Sequence, residues 1–265
     1  MKSGTTWLFR QLEQHPGIHF SPEKELHYLA DSSGHRGALT FGYRLGRWRN
    51  ARARSADGLS WRDTAWYLDY LLAPRTWGWY ERRFSGVANG QYCADFSNLS
   101  VLLSRGDWER LLQRVGELRI VYVLRDPLDR IWSHLKFHYH LGGDEAQLEM
   151  LARATSGTAP QEFLEHSLYA KHLRNMLEVL PREQIHIVYY DDISQRPEQV
   201  LRGVEAFLGL PAHDYAPAKL QRRINPSAQL PRPRWVSERF SARIVQDLLD
   251  LEGLDIPVPQ SWCAQ

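Results

Sequence analysis

From Leu118 to Leu124 the chain reads Leu-Arg-Ile-Val-Tyr-Val-Leu, and Arg125-Asp126-Pro127-Leu128-Asp129-Arg130-Ile131-Trp132-Ser133 follows directly. A short, nearly continuous apolar run bounded by helical patterns is the signature of a strand buried on both faces, which belongs to a parallel sheet covered by helices. Parallel neighbours need crossover connections, so this run commits the chain to an α/β architecture. Pro127 suits the first turn of a helix, and Asp126 before it suits a cap. Arg125 then stands at the strand tip, with Ser133 about two helical turns further on. The planar fork of Arg125 matches a phosphate and Ser133 offers a hydroxyl donor. The competing use of Arg125 is an ion pair with Asp126 or Asp129.

A second stretch points to the same chemistry. Met1-Lys2-Ser3-Gly4-Thr5-Thr6-Trp7 leads into a short amphipathic pattern from Thr5 to Gln14 that is stopped by His15-Pro16-Gly17. A lysine, a glycine and hydroxyl residues at a helix start can aim an ammonium, backbone N–H groups and hydroxyls at one oxyanion. Lys2 precedes Gly4, whereas the nucleotide-hydrolase loop places its lysine after the last glycine, so this is not a Walker loop. Read conservatively, Gly4-Thr5 is an ordinary helix cap.

Between these stretches, Ile18-His19-Phe20 reads as a short strand, followed by Ser21-Pro22-Glu23-Lys24-Glu25-Leu26-His27-Tyr28. If that segment is extended, Glu25 and His27 share a face. A carboxylate beside an imidazole can serve as a general base; otherwise the two are solvated loop residues. Residues 32–60, rich in Ser, Gly and Arg, read as a flexible lid or insertion, with Arg44, Arg47, Arg49, Arg52 and Arg54 forming either a solvated face or a surface for an acidic substrate. From Trp61 to Phe84 aromatics are dense, and Trp66, Tyr67 and Tyr70 at helical spacing read as packing residues. Gln91 to Ser97 reads as a strand with Asp95 and Ser97 at its C-terminal end, where ligands collect in open α/β sheets. Leu99 to Val115 reads as a helical region broken near Gly106.

At 265 residues and 43% hydrophobic, the chain can build a proper core, here read as one domain over 1–265. A net charge of +2 is too small for a general nucleic-acid or membrane binder. Cys93 and Cys263 lack both disulfide and metal-ligand patterning, no apolar run reaches membrane-span length, and the N-terminus as given lacks a signal-peptide apolar core. Taking the N-terminus as given, the chain reads as a cytoplasmic protein; its oligomeric state is open.

The combination of KSGTTW opening a helix, KELHY, and a strand ending in LRDPLDRIWS resembles the sulfotransferases that use PAPS (3′-phosphoadenosine 5′-phosphosulfate), nearest the heparan sulfate sulfotransferase-like and bacterial branch. Ser167-Leu168-Tyr169 with Leu173, Gln184 to Asp192, and Phe207-Leu208-Gly209-Leu210 extend the resemblance to about residue 210. It implies a P-loop-like sulfotransferase fold with a central parallel sheet flanked by helices. It implies that Lys2, Ser3, Gly4, Thr5, Thr6 and Trp7 hold the 5′-phosphosulfate, that Arg125, Arg130 and Ser133 hold the 3′-phosphate, and that Glu25 is the catalytic base with His27 assisting. Lys2 would stabilise charge on the bridging oxygen, adenosine 3′,5′-bisphosphate would be the product, and no metal would be required. Residues 219–240 would include a donor-covering loop, with Arg223 and Arg232 as candidate phosphate contacts or a solvated basic stretch.

Departures from the family pattern are visible too. Many relatives carry Gly-Glu-Lys-[ST]-Pro where this chain has Ala94-Asp95-Phe96-Ser97-Asn98, so the carboxylate is shorter and the lysine absent. The fold also normally delivers a buried strand to the loop at Lys2, and only Met1 precedes it, so a first strand is expected upstream of this sequence. The acceptor, a small molecule or a carbohydrate, is undefined: the arginines of 44–54 suit an acidic one, the aromatics of 61–84 a flat or apolar one. Rival readings are another P-loop nucleotide enzyme and an inert protein that binds adenosine 3′,5′-bisphosphate.

Overall fold

The structure is a computed structural model and describes residues 3–35, 37–139, 160–220 and 230–263. The chain divides into two compact units: Leu12–Leu103 forms one, and Met1–Gln11 with Ser104–Gln265 forms the other.

In the discontinuous unit, α1 (Thr5–Leu12) starts at the glycine loop. α6 (Arg105–Val115) is opened by a capping box in which Ser104 and Asp107 satisfy each other's backbone N–H. The break expected near Gly106 therefore falls at Ser104, and Gly106 lies within the first turn. β3 (Ile120–Leu124) leads into α7 (Pro127–His138). Then come α8 (Pro160–Glu165), α9 (Tyr169–Leu177) and β4 (Ile185–Tyr189), followed by α10 (Tyr190–Gln195) and α11 (Pro197–Leu208). α12 (Pro217–Leu220), α13 (Arg234–Glu252) and α14 (Gln260–Cys263) complete the unit. β3 and β4 pair in parallel from Ile120↔Ile185 to Leu124↔Tyr189. Their C-terminal ends thus release Arg125 and Tyr190 side by side. Leu124, Ile131, Leu135, Tyr169, Leu173 and Leu201 are fully buried, as a parallel pair covered by helices requires.

The 12–103 unit holds β1 (Ile18–Phe20), α2 (Tyr28–Ser32), α3 (Phe41–Arg54), α4 (Trp61–Leu72), α5 (Trp77–Glu81) and β2 (Tyr92–Ala94). β1 and β2 are also parallel, Ile18↔Tyr92 to Phe20↔Ala94. The α/β class with parallel strands is therefore present, as two two-stranded pairs among the described residues. The segment read as a lid or insertion contains the 14-residue α3, capped by Thr40. Its low hydrophobicity concealed a helix whose inward face is made of arginine and tyrosine. The aromatic stretch is core, as expected: Tyr67, Tyr70, Trp79 and Tyr80 are buried with Leu26, Tyr28 and Leu39 in one cluster.

Candidate active site

Gly4 has φ of +80°, a region that costs any side chain and suits glycine. A Cβ there would also lie 3.0 Å from Tyr190 Cδ2 and from Ile193 Cδ1. With Gly4 in that conformation, its carbonyl accepts from the N–H groups of both Trp7 (2.9 Å) and Leu8 (3.2 Å) and starts α1. Ser3 is buried beside it. A helix start of this kind presents first-turn N–H groups and a positive dipole end to an anion. Trp7, expected at the donor, is 6% exposed and donates its indole N–H to the Leu220 carbonyl at 3.0 Å. Lys2 and Arg223 lie outside the described residues.

At the tip of β3, Arg125 lays its guanidinium over the Tyr190 ring, 4.5 Å from the centroid. Tyr169 fixes its backbone from both sides: the Arg125 N–H donates to Tyr169 Oη (3.2 Å), and the Tyr169 hydroxyl donates to the Arg125 carbonyl (2.7 Å). Burial raises the Tyr169 hydroxyl to about 12, with Arg130 and Arg125 opposing, so it keeps that proton. Asp126 caps α7 by accepting the Asp129 N–H at 2.8 Å, a contact of about 1 kcal/mol. Arg232 donates to Asp129 Oδ1 at 2.9 Å and lies 3.6 Å from Asp126. Arg232 thus meets both acidic residues that flank the start of α7. Arg130 is buried and donates to Ser167 Oγ at 2.9 Å, while Ser133 is buried one turn further along α7. The Trp132 indole N–H donates to the Leu230 carbonyl at 3.0 Å, tying the start of the 230–233 segment to α7.

The 12–103 unit carries the other candidate residues. Glu25 and His27 do come together, with Nε2 of His27 3.5 Å from Oε2 of Glu25. The means differ from expectation: both residues adopt left-handed backbone, φ 65° and 56°, so the segment is not extended and alternation does not align them. Long-range contacts impose this shape. The Tyr43 hydroxyl donates to the Glu25 carbonyl (3.1 Å), Arg47 donates to the Lys24 carbonyl (3.3 Å), and the His27 N–H donates to Ser97 Oγ (2.9 Å). Glu23, one of the most buried carboxylates of the unit, accepts from the Tyr67 hydroxyl and from Arg47 Nε, each at 2.5 Å. Arg44 is buried and donates to the Tyr70 carbonyl at 2.5 Å. Two of the arginines suggested for an acidic substrate therefore hold the unit together.

Lys24 Nζ lies 3.1 Å from Glu25 Oε1. Burial works to raise the Glu25 carboxyl, but hydrogen bonds and charge from His27 and Lys24 outweigh it and hold it at about 2. Glu25 is thus an ionised carboxylate with Lys24 facing one oxygen and His27 the other. Burial likewise raises the Tyr43 hydroxyl to about 12, helped by Glu25 and opposed by Arg47, so it remains a donor. Sequence reading did not anticipate Lys24, Tyr43, Tyr169, Ser167 or Tyr190 as site partners. Lys24 carried a signal in its place beside Glu25 in KELHY, and Ser167, Tyr169 and Tyr190 in the stretches that extend the resemblance; Tyr43 carried none.

A family model described as the sulfotransferase family matches residues 1–214. The chain belongs to the sulfotransferase family. It is similar in fold to a sulfotransferase from Alicyclobacillus acidocaldarius, with a TM-score of 0.64 at 23% identity, covering 98% of this chain and 94% of that one. The sulfotransferase domain from the curacin biosynthetic pathway gives a TM-score of 0.52 at 16% identity, covering 97% and 95% of the two chains. A membrane-associated sulfotransferase of Dictyostelium discoideum is 45% identical over 65 residues, 24% of this sulfotransferase and 14% of that protein. The chain therefore matches a small part of that relative's length. Among the described residues no helix is long and apolar enough to cross a membrane.

Proposed function

We propose that this transferase moves a sulfuryl group from PAPS to a hydroxyl or amine of a carbohydrate or small-molecule acceptor, with Glu25 as general base. Glu25 takes the acceptor's proton as the acceptor oxygen or nitrogen forms its bond to sulfur. The bond from sulfur to the bridging oxygen breaks, and its electron pair leaves with adenosine 3′,5′-bisphosphate. His27 orients Glu25 and assists, and Lys2 meets the charge that builds on the bridging oxygen. Ser3, Gly4, Thr5 and Thr6 hold the 5′-phosphosulfate, and Arg125, Arg130 and Ser133 the 3′-phosphate. Fixed donors at positions where charge develops supply most of the acceleration in such a reaction.

The observation that carries this reading is the Glu25–His27 pair, a half-buried carboxylate kept ionised beside a buried imidazole, in a member of a sulfotransferase family. The exposed free thiols of Cys93 and Cys263 suit a reducing compartment such as the cytoplasm. Labelled sulfate transfer from PAPS into a panel of glycans, phenols, peptides and lipids tests the activity. Transfer that depends on Glu25 is expected. A chain that binds adenosine 3′,5′-bisphosphate by calorimetry yet labels nothing in the panel is an inert binder.

A further inference from the structure

Beneath the Glu25–His27 pair runs a line of polar contacts that the proposed reaction does not use. Left-handed backbone costs a non-glycine residue roughly 1–2 kcal/mol and persists where its surroundings over-determine it. Glu25 and His27 both adopt it. His27 also heads α2, its carbonyl accepting the Asp31 N–H at 3.0 Å while its own N–H reaches outside the helix. That N–H donates to Ser97 Oγ at 2.9 Å. The Ser97 hydroxyl in turn donates to Asp95 Oδ1 at 2.5 Å, and the Tyr80 hydroxyl donates to Asp95 Oδ2 at 2.9 Å. Tyr80 is buried and stacked on Tyr28, with ring centroids 4.8 Å apart.

As a carboxylate, Asp95 sets the direction of each proton. Asp95 accepts twice, which turns the Ser97 hydrogen toward the carboxylate and leaves a Ser97 lone pair for His27. A carboxylate anchored in an aromatic core thereby aims a serine at the backbone of the residue that orients the base. Burial holds the Asp95 carboxyl above its ordinary range, the hydrogen bonds from Ser97 and Tyr80 offsetting only part of that, and its oxygens are occupied by those two hydroxyls.

We propose that Asp95 and Ser97 are positioning residues for sulfuryl transfer: they hold the left-handed His27 backbone, and through it the orientation of the His27–Glu25 pair, without contacting donor or acceptor. The proposal rests on Glu25 being the general base. It gives a use to the Ala94-Asp95-Phe96-Ser97 strand end, where the shorter carboxylate reaches a hydroxyl two residues on in its own chain.

The test uses the full chain, PAPS and the best acceptor of the panel above, with Ser97→Ala, Asp95→Asn, Ser97→Thr, Glu25→Gln and the Ser97→Ala/Glu25→Gln double variant. Ser97→Ala and Asp95→Asn should each lower kcat roughly 10- to 100-fold, the scale of a misplaced reacting group. Acceptor KM and the Kd for adenosine 3′,5′-bisphosphate should stay within about twofold, because neither variant touches a substrate contact. Ser97→Thr, which keeps the hydroxyl, should recover most of the turnover. In the Glu25→Gln background, Ser97→Ala should add almost nothing, since residues acting as one unit are non-additive. Should Ser97→Ala unfold the chain, Asp95→Asn and Ser97→Thr carry the test. Wild-type kcat in Ser97→Ala and Asp95→Asn, or an equal loss from Ser97→Ala with and without Glu25, overturns the positioning role. Wild-type kcat in Glu25→Gln overturns the base assignment instead, and the two failures are therefore distinguishable.

Discussion

The residues proposed for the phosphate side and those proposed for the base side are built by opposite means. Around Gly4 and Arg125, regular elements do the placing: a helix starts at a glycine, a strand ends at an arginine, and an Asp-Pro pair opens the next helix. Around Glu25 and His27 the backbone is irregular, and residues distant in sequence hold it: Tyr43 and Arg47 from α3, Ser97 after β2. Local rules place the first set. Tertiary contacts place the second, so single changes far from Glu25 in sequence should act on it as strongly as changes beside it.

The largest effect should come from the proposed base. Glu25→Gln should lower turnover by about 100-fold or more, the usual scale for a positioned acid or base, and leave adenosine 3′,5′-bisphosphate affinity unchanged by calorimetry. Arg125→Ala should do the reverse, weakening that affinity about tenfold or more through a lost charge-assisted contact, with the acceptor KM preserved. If either variant moved both quantities together, the division of labour drawn above would fail. Gly4→Ala combines a left-handed torsion with crowding against Tyr190 and Ile193, and should destabilise by about 1–3 kcal/mol in denaturant titrations.

A smaller effect follows from protonation. Folded Glu25 titrates at about 2, below its ordinary 4.5. A depressed carboxyl stabilises the fold above its unfolded value and loses that contribution as pH falls through the folded one. The gap in melting temperature between wild type and Glu25→Gln should therefore be full above about pH 4.5 and close toward pH 2. A gap that stayed constant over this window would mean that His27 and Lys24 do not favour the ionised form. Smallest of all, Tyr43→Phe removes one hydrogen bond to the Glu25 carbonyl, worth about 1 kcal/mol, and should lower turnover several-fold by kinetic assay. An effect on bisphosphate affinity instead would place Tyr43 with the phosphate side.

This contrast also explains what could be read in advance. The strand at 120–124, the Asp126 cap, Pro127 and the helix after Gly4 follow from composition and spacing, because each depends on its immediate neighbours. The pairing of Glu25 with His27 was anticipated, but for the wrong geometric reason: period-two alternation predicts it only in extended backbone, and both residues are left-handed. Nothing local in Glu25-Leu26-His27 demands that conformation, and the groups that impose it are up to 70 residues away. α3 was missed because its inward face carries Arg44, Arg47 and Tyr43, whose burial is compensated by Tyr70, Glu23 and Glu25. Polar residues facing inward disguise an amphipathic helix until their partners are known. Tyr190 lies within the Gln184 to Asp192 stretch of the resemblance, where nothing local marks its part, yet its ring touches both elements proposed for the phosphate side: it supports Arg125 and fills the space above Gly4.

That ring makes position 4 unusual in a genetic sense. A side chain there conflicts with Tyr190 and Ile193 and, separately, with its own backbone torsion. A smaller residue at 190 or 193 relieves the crowding, but no change elsewhere alters what a Cβ costs at that torsion. A smaller residue at 190 also withdraws the support beneath Arg125. Selection for restored activity from a Gly4 variant should accordingly return true revertants at codon 4, with few second-site suppressors.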